Sequence, residues 1–410
     1  MAPFAANLGA ICYAAESSWG EDVTTFGIRL PIANQVDASG LEQSLIPTTR
    51  TVQLLNGGTF EAIGGMGGSF RTKHFLAGHG STTSGATAAT SLPTLLGYVF
   101  GGGPGSPAAG STFTGGTATA PTTTASATFT AGQLCRGGSF GDAKGNGRFA
   151  AILSHITTTM TLLTAFDAAP TAAQVLYSAE TIYASELPTS TITSLRFLLQ
   201  TANMEYEAHG CWPKSVSISL PVNGELPTIE IEWGVSWWRH STATFPSALS
   251  VDNFTPAMSG GATCSFFFQA YGTATAAYRT IRSLSVTYTM NNVPIVGPGG
   301  VNQFQTVTGC VRGPADIQLD WVEDATAATA SPQSNTDFTA TTASHALLTT
   351  NCAAAGQAVG VYWPNLIPTG MNGVQFSDGN VNRVKRSYKA RADETRATDL
   401  LASAMRIAFA

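Results

Sequence analysis

The stretch from Lys214 to Trp237 constrains the fold more than any other part of the chain. Val216, Ile218 and Leu220 alternate with Ser215, Ser217 and Ser219. After Asn223-Gly224, Ile229, Ile231 and Trp233 alternate with Thr228, Glu230 and Glu232. A helix repeats a face every three to four residues and a strand every two, so this pattern calls for an antiparallel hairpin with one oily and one wet face. The alternation recurs in SLSVTYTM, where Leu284, Val286, Tyr288 and Met290 oppose Ser283, Ser285, Thr287 and Thr289. It recurs again in ADIQLDWVED, where Ile317, Leu319 and Trp321 oppose Asp316, Gln318 and Asp320. SLRFLLQTANMEYEAHG (194–210) fits a helix or strands, and strands are the preferred reading. The expected fold class is mainly β.

One short helix is expected in SLPTLLGYVFGG (91–102), a buried apolar run closed by glycines. It lies inside an unusual segment: the 62 residues from His74 to Cys135 carry no Asp, Glu, Lys or Arg. The part at about 101–135, GPGSPAAGSTFTGGTATAPTTTASATFT and its flanks, reads as a long Gly/Thr/Ala-rich insertion with extended pieces rather than a packed core. Two modules are expected, 1–190 with this insertion and 191–410. One reading makes them duplicates: the strand-turn-strand of 50–76 returns in longer form in 279–321, and the hairpin of 214–237 in 361–393. The same order is also what unrelated β proteins show by chance.

Composition narrows the function. Charged residues are 11% of the chain, against roughly 25% in an ordinary soluble domain. So few charges fit either a Thr/Ala-rich adhesin-like surface or a subunit largely covered by its neighbours, and the second is preferred. A net charge of −5 argues against gripping nucleic acid by its phosphates, though not against DNA passing by. The six cysteines (Cys12, Cys135, Cys211, Cys264, Cys310, Cys352) form no C-x-x-C pair, so they read as small buried hydrophobes made in a reducing cytoplasm. No secretory leader and no apolar run long enough to span a membrane is recognisable.

Catalytic motifs are weak. Gly137-Gly138-Ser139-Phe140-Gly141 matches the string of a nucleophile elbow, but GDAKGNG follows it and cannot open the helix that chemistry needs. The six histidines (His74, His79, His155, His209, His240, His345) show no metal-ligand spacing, and His74 and His79 read as loop residues. Neither a phosphate loop nor a dinucleotide fingerprint is present. No enzyme activity, metal or cofactor is expected.

One charge pattern stands out: seven of the 20 basic residues lie between Val381 and Arg406. Arg383, Lys385, Lys389 and Arg391 fall on one face of a would-be strand. They fit either a solvated edge or, the preferred reading, an inter-subunit strip against acidic residues of the next copy.

The run HGCWPKSVSISLPVNGELPTIEIEWGVSWW (209–238) resembles the segment typical of bacteriophage tail tube (major tail) proteins, where a Gly-polar step leads into a Ser/Val strand, a Gly turn and a second strand. SLSVTYTMNNVPIVGPGG, the CVRGPADIQLDW strand and VGVYWPNLIPTGMNGVQFSDGN with its closing basic strand fit the same scheme. The resemblance covers about half of the chain, mostly beyond residue 190, and the uncharged 74–135 segment departs from it.

The resemblance implies a tail-tube-type β-sandwich or half-barrel with a small flanking helix. Copies would close into rings of three, or six, that stack into a tube. Its partners would be itself, the tape measure, tail terminator and tail-tip proteins, and DNA passing without specific binding, with no membrane. It would reside in the virion tail, and in the host cytoplasm during assembly. Glu230, Glu232, Asp316 and Asp320 become candidates to face a mildly acidic lumen. The alternatives are a carbohydrate-binding or adhesin-type β module, for which Trp233, Trp237 and Trp238 would be the platform, and a β-helical or jelly-roll hydrolase.

Overall fold

A computed structural model describes residues 9–21, 37–49, 59–76, 91–105, 111–124, 129–138, 148–166, 168–172, 174–185, 192–201, 204–221, 226–240, 264–271, 278–298, 305–324, 343–350, 358–369, 374–376, 382–396 and 398–410, with positions 26, 29–30 and 78 besides. The described residues are mainly β. Eight strands, all joined antiparallel, form a continuous wall. They are β1 (Leu41–Thr49), β2 (Thr59–Phe75), β3 (Met204–Pro221), β4 (Thr228–Val235), β5 (Ile281–Met290), β6 (Ala315–Asp324), β7 (Val374–Phe376) and β8 (Asn382–Ala390). Across the wall the order is β1-β2-β4-β3-β5-β6-β8-β7. Each half thus repeats one order, first, second, fourth, third.

The expected division at residue 190 does not separate two cores. Strand Gly9–Ala15 pairs with Leu195–Thr201, Glu180–Ala184 with Arg406–Phe409, and β2 with β4. One apolar cluster runs from Ile11 to Phe409. In the wall, the repeat of strand order changes over between β4 and β5, that is between Val235 and Ile281.

The alternating residues behave as period two requires. Val216, Ile218, Leu220, Ile229, Ile231, Trp233, Leu284, Val286, Tyr288, Ile317, Leu319 and Trp321 are all buried, and their neighbours face out. Full burial of such side chains contributes about 1.5–3 kcal/mol each. The sheet continues beyond β8 through Val359–Pro368 into Ser344–Thr350 and Ser265–Ala270, and through Arg406–Phe409 into Glu180–Ala184. Apolar side chains from these strands join the wall's core, so the sheet packs against itself. The Asn223-Gly224 turn lies outside the described residues.

Strand β3 is the corner. Its first half lies between Leu195–Thr201 and Trp237–His240, and its second half between β4 and β5. The change falls at Gly210, which has φ +59; a Cβ there would meet Ser236 and the Trp19 indole at 2.7 Å, so only glycine fits. Its N–H donates to Glu16 at 3.0 Å. The ambiguous 194–210 segment is therefore two strands, not a helix.

Helix α1 (Ser91–Phe100) forms where expected and buries Leu92, Leu95, Leu96, Val99 and Phe100, the single stripe that 3.6-residue spacing produces. It stops at Gly101, φ +80, and Arg312 donates to the orphan Val99 carbonyl. A one-turn helix α2 (Asp399–Ala402) is N-capped by Thr398.

The uncharged insertion is more ordered than its composition suggests. Six strands close a small barrel in the order Thr159–Leu162, Pro121–Thr123, Ser111–Gly116, Val175–Ser178, Leu134–Gly138 and Phe149–Ile156. Phe113, Phe129, Cys135, Ile152, Met160, Phe166 and Leu176 fill its interior. The packed unit runs to Ser178, well past 135. It is seated on the main sheet: Leu134, Phe149 and Leu163 pack on Phe267, Leu347 and Tyr362. The buried Arg406 guanidinium donates to Gly132 O at 3.2 Å and Leu401 O at 2.6 Å.

Candidate functional site

The wet face of the wall gathers all four candidate lumen residues and the basic strip. Residues directly opposite on paired strands point to the same side, so register gives the rows. Lys73, Glu230, Ser217, Thr287, Gln318 and Lys389 form one row across six strands. Arg71, Glu232, Ser215, Thr289 and Asp316 form the next. Phe75, Thr228, Ser219, Ser285, Asp320 and Ser387 form a third. In these three rows the central strands β3 and β5 carry only hydroxyls.

Those charges cancel locally. Arg71 lies 3.9 Å from Glu230 and 3.5 Å from Glu232, and Lys214 lies 2.9 Å from Glu232. The hydrogen bond from the Lys214 ammonium holds the Glu232 carboxyl below its ordinary pKa. Lys389 pairs with Asp316 at 2.6 Å, and Asp320 accepts from Gln318 at 3.2 Å. Arg282 pairs with Asp324 and lowers its pKa by hydrogen bonding. The carboxylates thus do not form an acidic patch by themselves: β2 and β8 bring Arg71, Lys73, Lys385 and Lys389 alongside them. The basic strip also differs from expectation. It pairs first within its own chain, β8 against β6, and Lys389 takes Asp316 of the same chain. Arg383 lies opposite Asp324 of the same chain, and its charge helps to lower that carboxyl's pKa.

Two buried ionic clusters escaped the sequence reading. Glu207, 3% exposed, receives Arg196 at 2.9 Å and Arg239 at 2.6 Å, with His209 at 3.4 Å. His209 stacks on Trp237 with ring centroids 3.7 Å apart, and burial brings its pKa down to about 4, so the ring is neutral. Glu323 binds Arg386, with Arg279 at 3.9 Å. A charged residue at every second position of M-E-Y-E-A-H was the available signal, but the partners lie on other strands.

The tryptophans are engaged within the chain. Trp233 is fully buried and donates to Thr72 at 3.1 Å, Trp237 covers His209, and Trp238 packs on Tyr206 and His240. His74 is not a loop residue; it is buried on β2 and bonded to Thr72. Ser139, His79 and Cys352 lie outside the described residues. The other five cysteines form no disulfide among the described residues, and four of them are buried. Among the described residues, no group of three His, Cys, Asp or Glu is placed to hold a metal, and no helix is long and apolar enough to cross a membrane. Comparison with protein-family models gives no match, and comparison with curated proteins gives none either.

Proposed function

We propose that the chain is a structural virion protein that assembles with its own copies into stacked rings, forming a phage tail tube through which DNA is delivered. The observation that carries this reading is the wet face: a broad sheet surface whose central strands are paved with Ser and Thr, and whose flanking carboxylates Glu230, Glu232 and Asp316 are each paired with a cation of the same chain. Such a face offers a passing polyanion neither a cationic trap nor strong repulsion. In this reading Glu230, Glu232, Asp316 and Asp320 face the lumen in neutralised form.

Assembly follows from the sheet's ends. Among the described residues β1 pairs only with β2, and β7 only with β8, and side-by-side closure is what removes such open edges. Arg383 and Lys385 stand beside β7 and serve as seam contacts to the next copy, while Arg391 lies at the opposite end of β8, against Asn365. The twice-repeated strand order favours rings of three: three copies then supply as many wall strands as six copies of a four-stranded unit. The architecture is that of a tail-tube-type half-barrel or sandwich, with α1 as its flanking helix and the small barrel set on the outside. The tape measure, tail terminator and tail-tip proteins are its partners in the virion, and its role is assembly rather than catalysis. The rival carbohydrate-binding or adhesin module needs an open aromatic platform, and its candidate tryptophans are taken up within the chain.

Negative-stain electron microscopy of the concentrated protein is the test. Hollow tubes or stacked rings, with three-fold symmetry, are expected. Monodisperse monomers at all concentrations, unchanged on adding a tail-tip complex, would overturn the proposal.

A further inference from the structure

Side-by-side closure of the wall occupies its two edges and leaves its two strand ends facing along the ring axis, so stacking has to use those ends. One end lies where β6 begins and β8 finishes, at Asp316 and Lys389. The other lies where β6 finishes and β8 begins, at Asp324 and Arg383. The ten residues of β6 set the two ends about 30 Å apart. A two-stranded arm, Val293–Pro298 paired with Gln305–Val311, leaves the wall at the first end, between β5 and β6.

The first end also holds a cavity of about 440 Å³ between β6, β8 and Val359–Pro368, and its rim carries Lys389, Arg391, Asp393, Glu394 and Thr395. Two of those charges are matched within the chain. Lys389 pairs with Asp316 at 2.6 Å, and Asp393 accepts from the Thr395 hydroxyl at 2.6 Å and from Arg396 at 3.1 Å. Arg391 and Glu394 are exposed and form no ion pair among the described residues. The segment that carries them is held in place: Arg391 donates its N–H to Asn365 O at 2.9 Å, and Asp393 donates its own to Ala402 O at 2.7 Å. The cavity thus presents one open cation and one open anion on a fixed frame.

The second end presents a complementary pair. Arg282, at the start of β5, donates its Nε–H to both carboxylate oxygens of Asp324, at the end of β6, at 3.0 and 2.9 Å. The pair stands in solvent, with the Arg282 side chain 51% accessible and that of Asp324 25%, and Arg383 lies beside it on β8. An exposed pair of this kind adds little to the stability of its own copy. Charges matched across an interface, in contrast, select the partner and fix its register.

We infer that Arg282 and Asp324 of one copy dock in this cavity on a copy of the next ring, Arg282 against Glu394 and Asp324 against Arg391. The inference rests on the stacked rings proposed above. The two surfaces differ and lie at opposite ends of the same strands, so the contact is head-to-tail and repeats from ring to ring without closing, as an open-ended tube requires.

Two charge-reversed variants test it: a cavity variant (Arg391→Glu, Glu394→Arg) and a corner variant (Arg282→Glu, Asp324→Lys). Each keeps one cation and one anion on its own surface, so each should retain the wild-type circular dichroism and still form rings. Each alone should lower the ratio of tubes to single rings in negative stain at least tenfold. A chain carrying all four substitutions should stack again. The cavity variant alone decides the case if the corner variant changes its circular dichroism. A cavity variant that stacks like wild type, or a well-folded fourfold variant that stays as single rings, overturns this contact while the ring stands. A wild-type chain that never forms rings overturns both.

Discussion

The two halves of the wall solve the same packing problem with different residues. In β1–β4, Phe70 on the second strand stacks with Trp233 on the fourth, and Phe197 closes on both from a strand outside the wall. In β5–β8, Trp321 on the second strand stacks with Tyr388 on the fourth, ring centroids 4.8 Å apart, and Phe266 and Phe268 close on Trp321 from outside. Each half also has one buried glutamate held by arginines, Glu207 in the first and Glu323 in the second. The halves differ in what interrupts them. The first carries α1 and the small barrel between its second and third strands; the second carries the arm between its first and second. A repeated framework with unlike insertions is what a tube subunit needs: a uniform inner surface, and different devices for the exterior and the seams.

If the halves are equivalent in energy as well as order, Trp233→Ala and Trp321→Ala should cost similar amounts, about 3–5 kcal/mol each, as large-to-small changes in closed cores do. Urea unfolding of the two variants measures this. A difference beyond about 2 kcal/mol would mean that one half dominates the core and the other leans on it. Glu207→Ala should be comparably severe, about 3–5 kcal/mol, because it leaves Arg196 buried and uncompensated. Glu323→Ala in the other half should match it.

The halves part company in acid, because only the Glu207 cluster contains a histidine. His209 has its folded pKa depressed to about 4, against about 6.5 unfolded. The unfolded chain therefore takes up the proton first. This contribution is fully present above about pH 6.5 and is lost as pH falls towards 4, by about 3 kcal/mol at about 1.4 per unit. Carboxylates such as Glu232 and Asp324 add their own loss at lower pH. The clean measurement is the difference in pH dependence between wild type and His209→Gln between pH 7 and 5. Equal slopes would remove His209 as the cause.

The wall's faces were legible residue by residue, because burial on one side of a strand writes a period of two into the sequence. The hairpin of β3 and β4, the β5 and β6 strands and helix α1 needed nothing more. The small barrel was hidden for the opposite reason. Its interior side chains are separated by Thr, Ala and Gly, and its closure depends on hydrogen bonds between strands that leave no compositional mark. The site was half legible. That Glu230, Glu232, Asp316 and Asp320 face out followed from alternation. That Arg71, Lys214 and Lys389 neutralise them depends on register between segments up to about 160 residues apart, which alternation alone does not encode.

The smallest effects belong to the wet face itself. Arg71→Ala, Lys214→Ala and Lys389→Ala should each cost less than about 1 kcal/mol, since these pairs are exposed and screened by salt. What they should change is the field over the sheet. Reversing Glu230 and Glu232 to Lys in the first half turns a strip of mixed charge into a wholly cationic one that holds phosphates, and tubes should form normally while DNA leaves such virions more slowly. Reversing Asp316 and Asp320 in the second half should do the same if both halves line one channel. Slowed ejection from the first pair alone would place β5–β8 away from the lumen and argue for a ring in which only β1–β4 faces inward. Unchanged ejection from both would sink the lumen assignment, whatever the tubes look like.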